Sequence, residues 1–373
     1  MEEIDYNLEE NKVEETEENS VPINVPFDPN FISIRRDPYT LGQLIDRIEY
    51  NEIDFLTGFQ RKDGLWKNKQ KCGLIESILL RLPLPAFYFF EIDDSKWQII
   101  DGLQRTRTIK DFVVDKTLVL DKNDLEFLHQ FNNCNYDKLP RDLQRRIKTT
   151  PLTVYVVEKS TPDEVKFNIF KRINTGGLIL TPQEIRHALN QGIAADFVAE
   201  LASLEQFKQA TCNIIKTERM EDRDFVTRFV SFYLLHYQNY EPDLDSFLMK
   251  GMKAIKTEKM EKIKSAFIKA MDTAIYIFGN DAFRRRENIN DRKKPLNKAL
   301  FEVLSVNFSN LNDHEIESLR KKKNIFKEKF IEINRNAKLR YALTSRIGDK
   351  EGVQIRFSEI KRIIEETINS ESI

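Results

Sequence analysis

Trp97-Gln98-Ile99-Ile100-Asp101-Gly102-Leu103-Gln104-Arg105-Thr106-Arg107-Thr108-Ile109 is a short apolar run that ends in Asp-Gly. Polar and basic residues then open a helix, expected over Gln104 to Val114. Upstream, Ala86 to Glu91 is aromatic and β-prone, and Lys96 to Ile100 is a second short strand. Asp93-Asp94-Ser95 between them reads as a hairpin turn. The strand–turn–helix layout offers an anion a tight turn, backbone N–H groups, a helix dipole and two guanidinium groups, Arg105 and Arg107. Phosphate is the anion this chemistry suits, so the stretch points to a nucleotide or nucleic-acid site.

Further out, Thr40 to Tyr50 reads as a helix, with Leu41, Leu44, Ile45 and Ile48 on one face. A second helix begins near Asn68, carries Leu74, Ile75, Ile78, Leu79 and Leu82, and is stopped by Pro83 and Pro85. Pro22 to Pro38 reads as extended, and Leu152 to Val157 as another strand. Thr161-Pro162-Asp163-Glu164 and Thr181-Pro182-Gln183-Glu184 both read as capping boxes with Pro at the first helical position. Between them, Phe170 to Gly177 is a helix end running into a Gly-Gly turn. Beyond about residue 190 the pattern is helical almost throughout. The mixture of helices and hairpin-linked strands argues α+β for the first part, followed by an all-helical second part.

The whole chain, 373 residues with 59 basic and 60 acidic side chains, has a net charge near zero. Bulk charge therefore gives no argument for nucleic acid, and any such surface has to be local. Three scattered cysteines and four scattered histidines form no disulfide framework, no metal-ligand spacing and no Ser-His-Asp order. No run has membrane length, and the N-terminus is acidic rather than signal-like, so a soluble cytoplasmic protein is expected. Residues 1–20 hold nine Asp or Glu and one Lys, read as a disordered acidic tail.

Three patches could converge on one site: Gln60-Arg61 with Trp66, Asp101 to Arg105, and Arg172 with Asn174 and the Gly176-Gly177 turn. Arginine forks pair with phosphate oxygens, and Asn or Gln can read a base edge or hold a water. Asp101 could contact Mg²⁺ or orient an attacking water. The same residues also read as an ordinary tight turn, surface ion pairs and a core tryptophan. No Walker-type or GxGxxG motif decides between these readings.

The ordered series Gln60-Arg61…Trp66, Leu74-Ile75-Glu76-Ser77-Ile78-Leu79…Leu84-Pro85, Asp101-Gly102-Leu103-Gln104-Arg105 and Phe170…Ile173-Asn174…Gly177…Leu180-Thr181…Glu184-Ile185 resembles the DGQQR-box family of bacterial defence proteins. That family includes the GmrS-like N-terminal part of GmrSD type IV restriction enzymes and the phage-defence protein SspE. The resemblance implies a ParB/sulfiredoxin-like N-terminal domain and a nucleoside triphosphate as ligand or substrate, with Mg²⁺. By motif position it implies catalytic roles for Asp101, Gln104 and Arg105. It implies nucleotide binding by Gln60, Arg61, Trp66, Gly102, Asn174 and Gly177, to which the third patch adds Arg172. Glu218 to Arg228 resembles the helical region that follows in relatives. The box departs from the family at Leu103, where the first Gln is lost, and Thr106-Arg107-Thr108-Ile109 adds a positive charge. If that Gln positions water, hydrolysis is weak here while binding persists. The metal-dependent His-Asn-His nuclease of two-part relatives is not recognisable: after residue 240 the one histidine is His314, which reads as a solvated helix start.

The expected organisation is an acidic tail over 1–25, a nucleotide-binding domain over 26–190 and a helical domain over 191–373. The leading expectation is an NTP-hydrolysing module of a restriction-type defence system acting on foreign DNA. The alternatives are a non-enzymatic, nucleotide-switched DNA-binding protein and a ParB-like nuclease. Expected partners are DNA, a separately encoded nuclease and a second copy of the chain, with no membrane. Arg284, Arg285, Arg286, Lys293 and Lys294 are the candidate DNA contacts, with Lys321-Lys322-Lys323 a further basic run. Arg340, Arg346 and Arg356 could instead fold back toward the N-terminal site.

Overall fold

The computed structural model describes residues 12–14, 29–55, 66–173 and 180–370. Two compact units divide the chain, Phe27–Leu180 and Thr181–Ile373, the latter grouped with the N-terminal segment. The architecture is α+β: a mixed sheet in the first unit and helices in the second.

The first unit holds five strands, β1 (Ile34–Thr40), β2 (Ile53–Asp54), β3 (Phe87–Glu91), β4 (Trp97–Asp101) and β5 (Pro151–Val157), in the order β1-β5-β3-β4-β2. β1 and β5 run antiparallel, β5 and β3 parallel, β3 and β4 antiparallel, and β4 and β2 parallel. The hairpin at Asp93 to Ser95 forms as read, with Asp93 Oδ1 accepting from Ser95 N at 2.9 Å and Lys96 N at 2.8 Å. β1 is an edge strand, which is where a proline such as Pro38 costs no ladder bond.

The helices are α1 (Leu41–Glu49), α2 (Asn68–Leu79), α3 (Leu103–Ile109), α4 (Arg141–Thr149) and α5 (Asp163–Ile173). α1 starts at a full capping box, Thr40 with Gln43, and buries Leu41, Leu44, Ile45 and Ile48. α3 passes into a wider turn over Lys110–Val114, closed by Asp115 N to Lys110 O at 2.9 Å. The core packs α1, α2 and the α3 continuation on the sheet, around Phe87, Phe89, Trp97, Ile99, Phe112 and Val154. Trp97 lies under the Arg47 guanidinium, 3.8 Å from its ring centre, and between Tyr39 and Phe89. β4 is thereby buried along Trp97 to Ile100 and delivers Asp101 to the sheet edge. The expected capping box at Thr161 is replaced by a tie to β1: its hydroxyl accepts from Ser33 N and donates to Ser33 O, both at 3.2 Å.

The second unit contains α6 (Pro182–Leu189), α7 (Ile193–Ser203), α8 (Glu205–Ala210), α9 (Glu221–Leu235), α10 (Leu244–Lys253), α11 (Thr257–Phe278), α12 (Lys298–Asn310), α13 (Asp313–Lys321), α14 (Lys323–Arg335), α15 (Ala337–Thr344) and α16 (Lys350–Asn369). α6, read from composition as the end of the first domain, belongs here because its polar face is spent on α9. Gln183 Nε2 donates to Thr227 Oγ1 at 2.9 Å, and Arg186 donates to Asp224 at 2.6 Å. α9 and α12 are buried on nearly every face, which marks them as the central helices. They carry a buried charge network. Asp224 binds Arg186, Arg228 and Lys298, and Glu302 binds Arg228 and Arg356. Burial opposes the Asp224 charge, yet Lys298, Arg228 and Arg186 hold its carboxyl well below the ordinary range. Arg356, fully buried on Glu302, is a core residue of this unit and not an arm toward the N-terminal site.

His187 on α6 gives this unit a pH response. Burial first, and the nearby Arg223 charge second, press its pKa down to about 4; Arg223 Nη1 lies 3.3 Å from its Nδ1. In the unfolded chain a histidine titrates near ~6.5. The unfolded state therefore takes up the proton first, and stability falls as pH drops from about 6.5 toward 4. We expect His187→Gln to remove a loss on the order of 2 kcal/mol between pH 7 and pH 4.5, read from urea midpoints at the two pH values. Equal pH sensitivity in the variant would show that another group sets it.

Candidate functional site

β4 ends at Asp101 and the chain must turn at once into α3. Gly102 makes the turn at φ 100°, in the left-handed region that favours glycine. A Cβ there would also meet Phe87 Cδ1 at 2.8 Å. The first-turn N–H groups of α3 have no intrahelical acceptor, as at any helix start, and Asp101 stands beside them.

Arg105 reaches back from α3 over this turn. Its Nη2 donates to Asp101 Oδ2 at 2.8 Å and to Ala86 O at 3.1 Å, its Nη1 donates to Pro85 O, and its plane covers the Phe87 ring at 4.4 Å. The side chain is 10% exposed, against 25% for Asp101. Burial lowers the Arg105 pKa, and the Asp101 charge opposes that shift. The guanidinium expected to hold phosphates is thus an internal brace that fixes the entry of β3, the end of β4 and the start of α3. Asp101 Oδ1 makes no hydrogen bond among the described residues.

Gln104 joins a second patch to the box. Its Oε1 accepts from Trp66 N at 3.3 Å. Trp66 is half-buried against the first unit's core and follows directly on the segment bearing Gln60 and Arg61. Those two residues, and Asn174 with Gly177, lie outside the described residues. Arg172 is exposed in the last turn of α5, and α5 packs against β4. Leu103 is half-buried against the same core. An apolar side chain suits that position, which gives the departure from the family box a packing reason. Arg107 is half-buried, and burial lowers its pKa against the pull of Asp111.

Four of the five basic residues expected to meet DNA are already paired within the protein. Arg284 is 2% exposed and donates to Lys294 O. Arg285 pairs with Glu14, Arg286 with Asp281, and Lys294 with Glu287. Lys293 is half-buried. The contacts of Arg284, Arg286 and Lys294 close the segment between α11 and α12 on itself, while Arg285 is spent on Glu14. Glu14 belongs to the stretch read as a disordered tail. Lys12–Glu14 are instead docked, with Glu14 N donating to Leu296 O at 2.7 Å and Leu296 N to Lys12 O at 3.0 Å. His314 is exposed at the start of α13, which Asn312 and Glu315 cap with a full box.

Among the described residues no group of three His, Cys, Asp or Glu side chains is arranged to hold a metal, and no helix is long and apolar enough to cross a membrane. Residues 41–191 match the family model described as GmrSD restriction endonuclease, N-terminal domain. No curated protein matches the chain.

Proposed function

We propose, from the premise that residues 41–191 are a GmrSD-type restriction endonuclease N-terminal domain, that this domain binds a nucleoside triphosphate at the Asp101–Arg105 box and hydrolyses it. Membership of that family points to a restriction-type defence system. In this reading foreign DNA is the target, and a separately encoded nuclease supplies the cut.

The observation that carries the reading is the meeting of two patches, Trp66 N on Gln104 Oε1, beside a glycine turn that opens a helix under an acidic side chain. Phosphoryl transfer needs mainly positioning and charge stabilisation. Gly102 lets the chain turn closely enough for a phosphate to approach the α3 N–H groups. Gln104 and Trp66 set the floor beside it. Asp101, its Oδ2 held by Arg105, keeps Oδ1 to accept a hydrogen bond from the attacking water. Arg61 and Arg172 are the guanidiniums assigned to phosphate, with Gln60, Asn174 and Gly177 completing the binding set. A Mg²⁺ ion bound with a triphosphate neutralises charge, keeps several waters and takes one or two carboxylates. Asp101 fits as one such carboxylate.

A second reading, binding with little turnover, is favoured by Leu103, whose side chain offers no hydrogen bond where the family has Gln. Phosphate release with each of ATP, GTP and CTP separates the two. We expect slow turnover in the wild type, none in Asp101→Asn, and faster turnover in Leu103→Gln. Release that Asp101→Asn leaves intact would remove the assigned role of Asp101.

A further inference from the structure

The helical unit holds an open groove of about 640 Å³ lined by Arg285, Ala337, Lys338, Arg340, Tyr341 and Thr344. Lys338 and Arg340 are exposed on α15, and neither side chain has an ion-pair partner among the described residues. Tyr341 beside them is 54% exposed, with the Arg346 guanidinium 5.9 Å from its ring centre. Two exposed cations and a half-exposed aromatic ring on one short helix are the pair of features that a flexible polyanion with stackable faces requires: charge for the backbone, a π-surface for a base.

An anion already sits at the groove wall. The Glu14 carboxylate accepts from Arg285 Nη2 at 2.5 Å and Nε at 3.2 Å, and from Asn297 Nδ2 at 2.7 Å. The backbone of Lys12–Glu14 pairs with Leu296, so the acidic segment is anchored beside the groove. That segment belongs to a stretch with nine acidic residues in its first 20. A second acid, Glu287, lies 3.8 Å from Arg285, pairs with Lys294 and also feels the Arg340 charge, so a phosphate would compete with it too.

We infer that this groove binds single-stranded DNA, with Lys338 and Arg340 on the backbone and Tyr341 under a base, and that Glu14 competes with a phosphate for Arg285. The inference rests on the reading that the chain acts on DNA, and it deepens that reading by giving the surface and the strandedness. A duplex keeps its bases stacked inside and gains nothing from Tyr341, which is why a single strand fits better.

The test is fluorescence anisotropy of the full chain with a labelled oligo(dT) of about 20 nucleotides, long enough to cover such a site. The proteins are wild type, Lys338→Glu with Arg340→Glu, Tyr341→Ala, and Glu14→Gln. The charge reversal is expected to weaken binding by about tenfold or more and to flatten its salt dependence. Tyr341→Ala is expected to weaken it about fivefold or more. Glu14→Gln frees Arg285 and is expected to tighten it. Wild-type affinity in the charge-reversal protein would overturn the groove while leaving DNA as the target. No binding by either wild type or Glu14→Gln would overturn the DNA reading itself. Duplex DNA or poly-glutamate binding as tightly as oligo(dT) would overturn the single-strand assignment, and unchanged affinity in Glu14→Gln would overturn the competition.

Discussion

Glu302→Ala is expected to lower the stability of the helical unit by about 3–5 kcal/mol, the cost of leaving buried charge without its partner. Glu302 is fully buried on α12. Its Oε2 accepts from Arg228 at 3.3 Å and its Oε1 from Arg356 Nε at 2.8 Å and Nη2. Both guanidiniums are themselves almost wholly buried, so neither can turn to water when the carboxylate goes. Arg356 would keep only the carbonyls of Ala342 and Ile347, which satisfy hydrogen bonds but not a full charge. Glu302→Gln preserves shape and one acceptor and should fall between wild type and Glu302→Ala. Replacing the whole trio with apolar residues of similar volume should recover much of the loss, since a buried ion network repays its own desolvation and little more. Urea unfolding followed by circular dichroism reads all three. A loss below about 1 kcal/mol for Glu302→Ala, the range of ordinary surface changes, would mean that water reaches these groups.

Arg105→Ala is expected to cost the first unit about 2–4 kcal/mol, because one side chain satisfies two backbone carbonyls and a half-buried carboxylate at once. The effect follows from the contacts to Pro85 O, Ala86 O and Asp101. A lysine cannot replace the fork, so Arg105→Lys should recover less than half of the loss. Nucleotide binding should fall together with stability, since the glycine turn is held from above by this guanidinium. The two effects separate in Asp101→Asn, which keeps an acceptor for Arg105 and removes only the charge. If Arg105→Ala left the unfolding midpoint unchanged while abolishing binding, the arginine would be a phosphate contact and not a brace.

Local patterns carried far into the fold. The Leu41, Leu44, Ile45, Ile48 stripe marked α1, and the Asp93-Asp94-Ser95 turn between aromatic and apolar runs marked the β3–β4 hairpin. β2, two residues long, has no period to read. α4 buries only Ile147 along its length and gave no apolar stripe. The candidate site was legible as a position but not as a geometry. A guanidinium fork suits backbone carbonyls as well as phosphates, so Arg105 looked like an outward arm until its partners from β3 were in place. The basic run at Arg284 to Arg286 misled for the same reason: a guanidinium fork suits nearby carbonyls and carboxylates, such as Lys294 O and Asp281, as well as a phosphate, and the partner of Arg285, Glu14, is distant in sequence. In the helical unit the hint of the buried network was Asp224 and Arg228, four apart on α9, with Arg228 set among apolar residues; Glu302 and Arg356 are joined to them only by the packing of α9, α12 and α16.

Whether the Asp101–Arg105 box is a nucleotide site is decided by calorimetric titration of ATP, GTP and CTP with Mg²⁺ into wild type and Gln104→Ala. Gln104 is the informative position because it ties the box to the neighbouring patch through Trp66 N, and the effect of its loss on folding is checked by the urea midpoint. Saturable binding of at least one nucleotide to the wild type is expected, with affinity lower by about tenfold, or about 1.4 kcal/mol, in the variant. No heat with any of the three on folded wild type, or the same isotherm in both proteins, would contradict it.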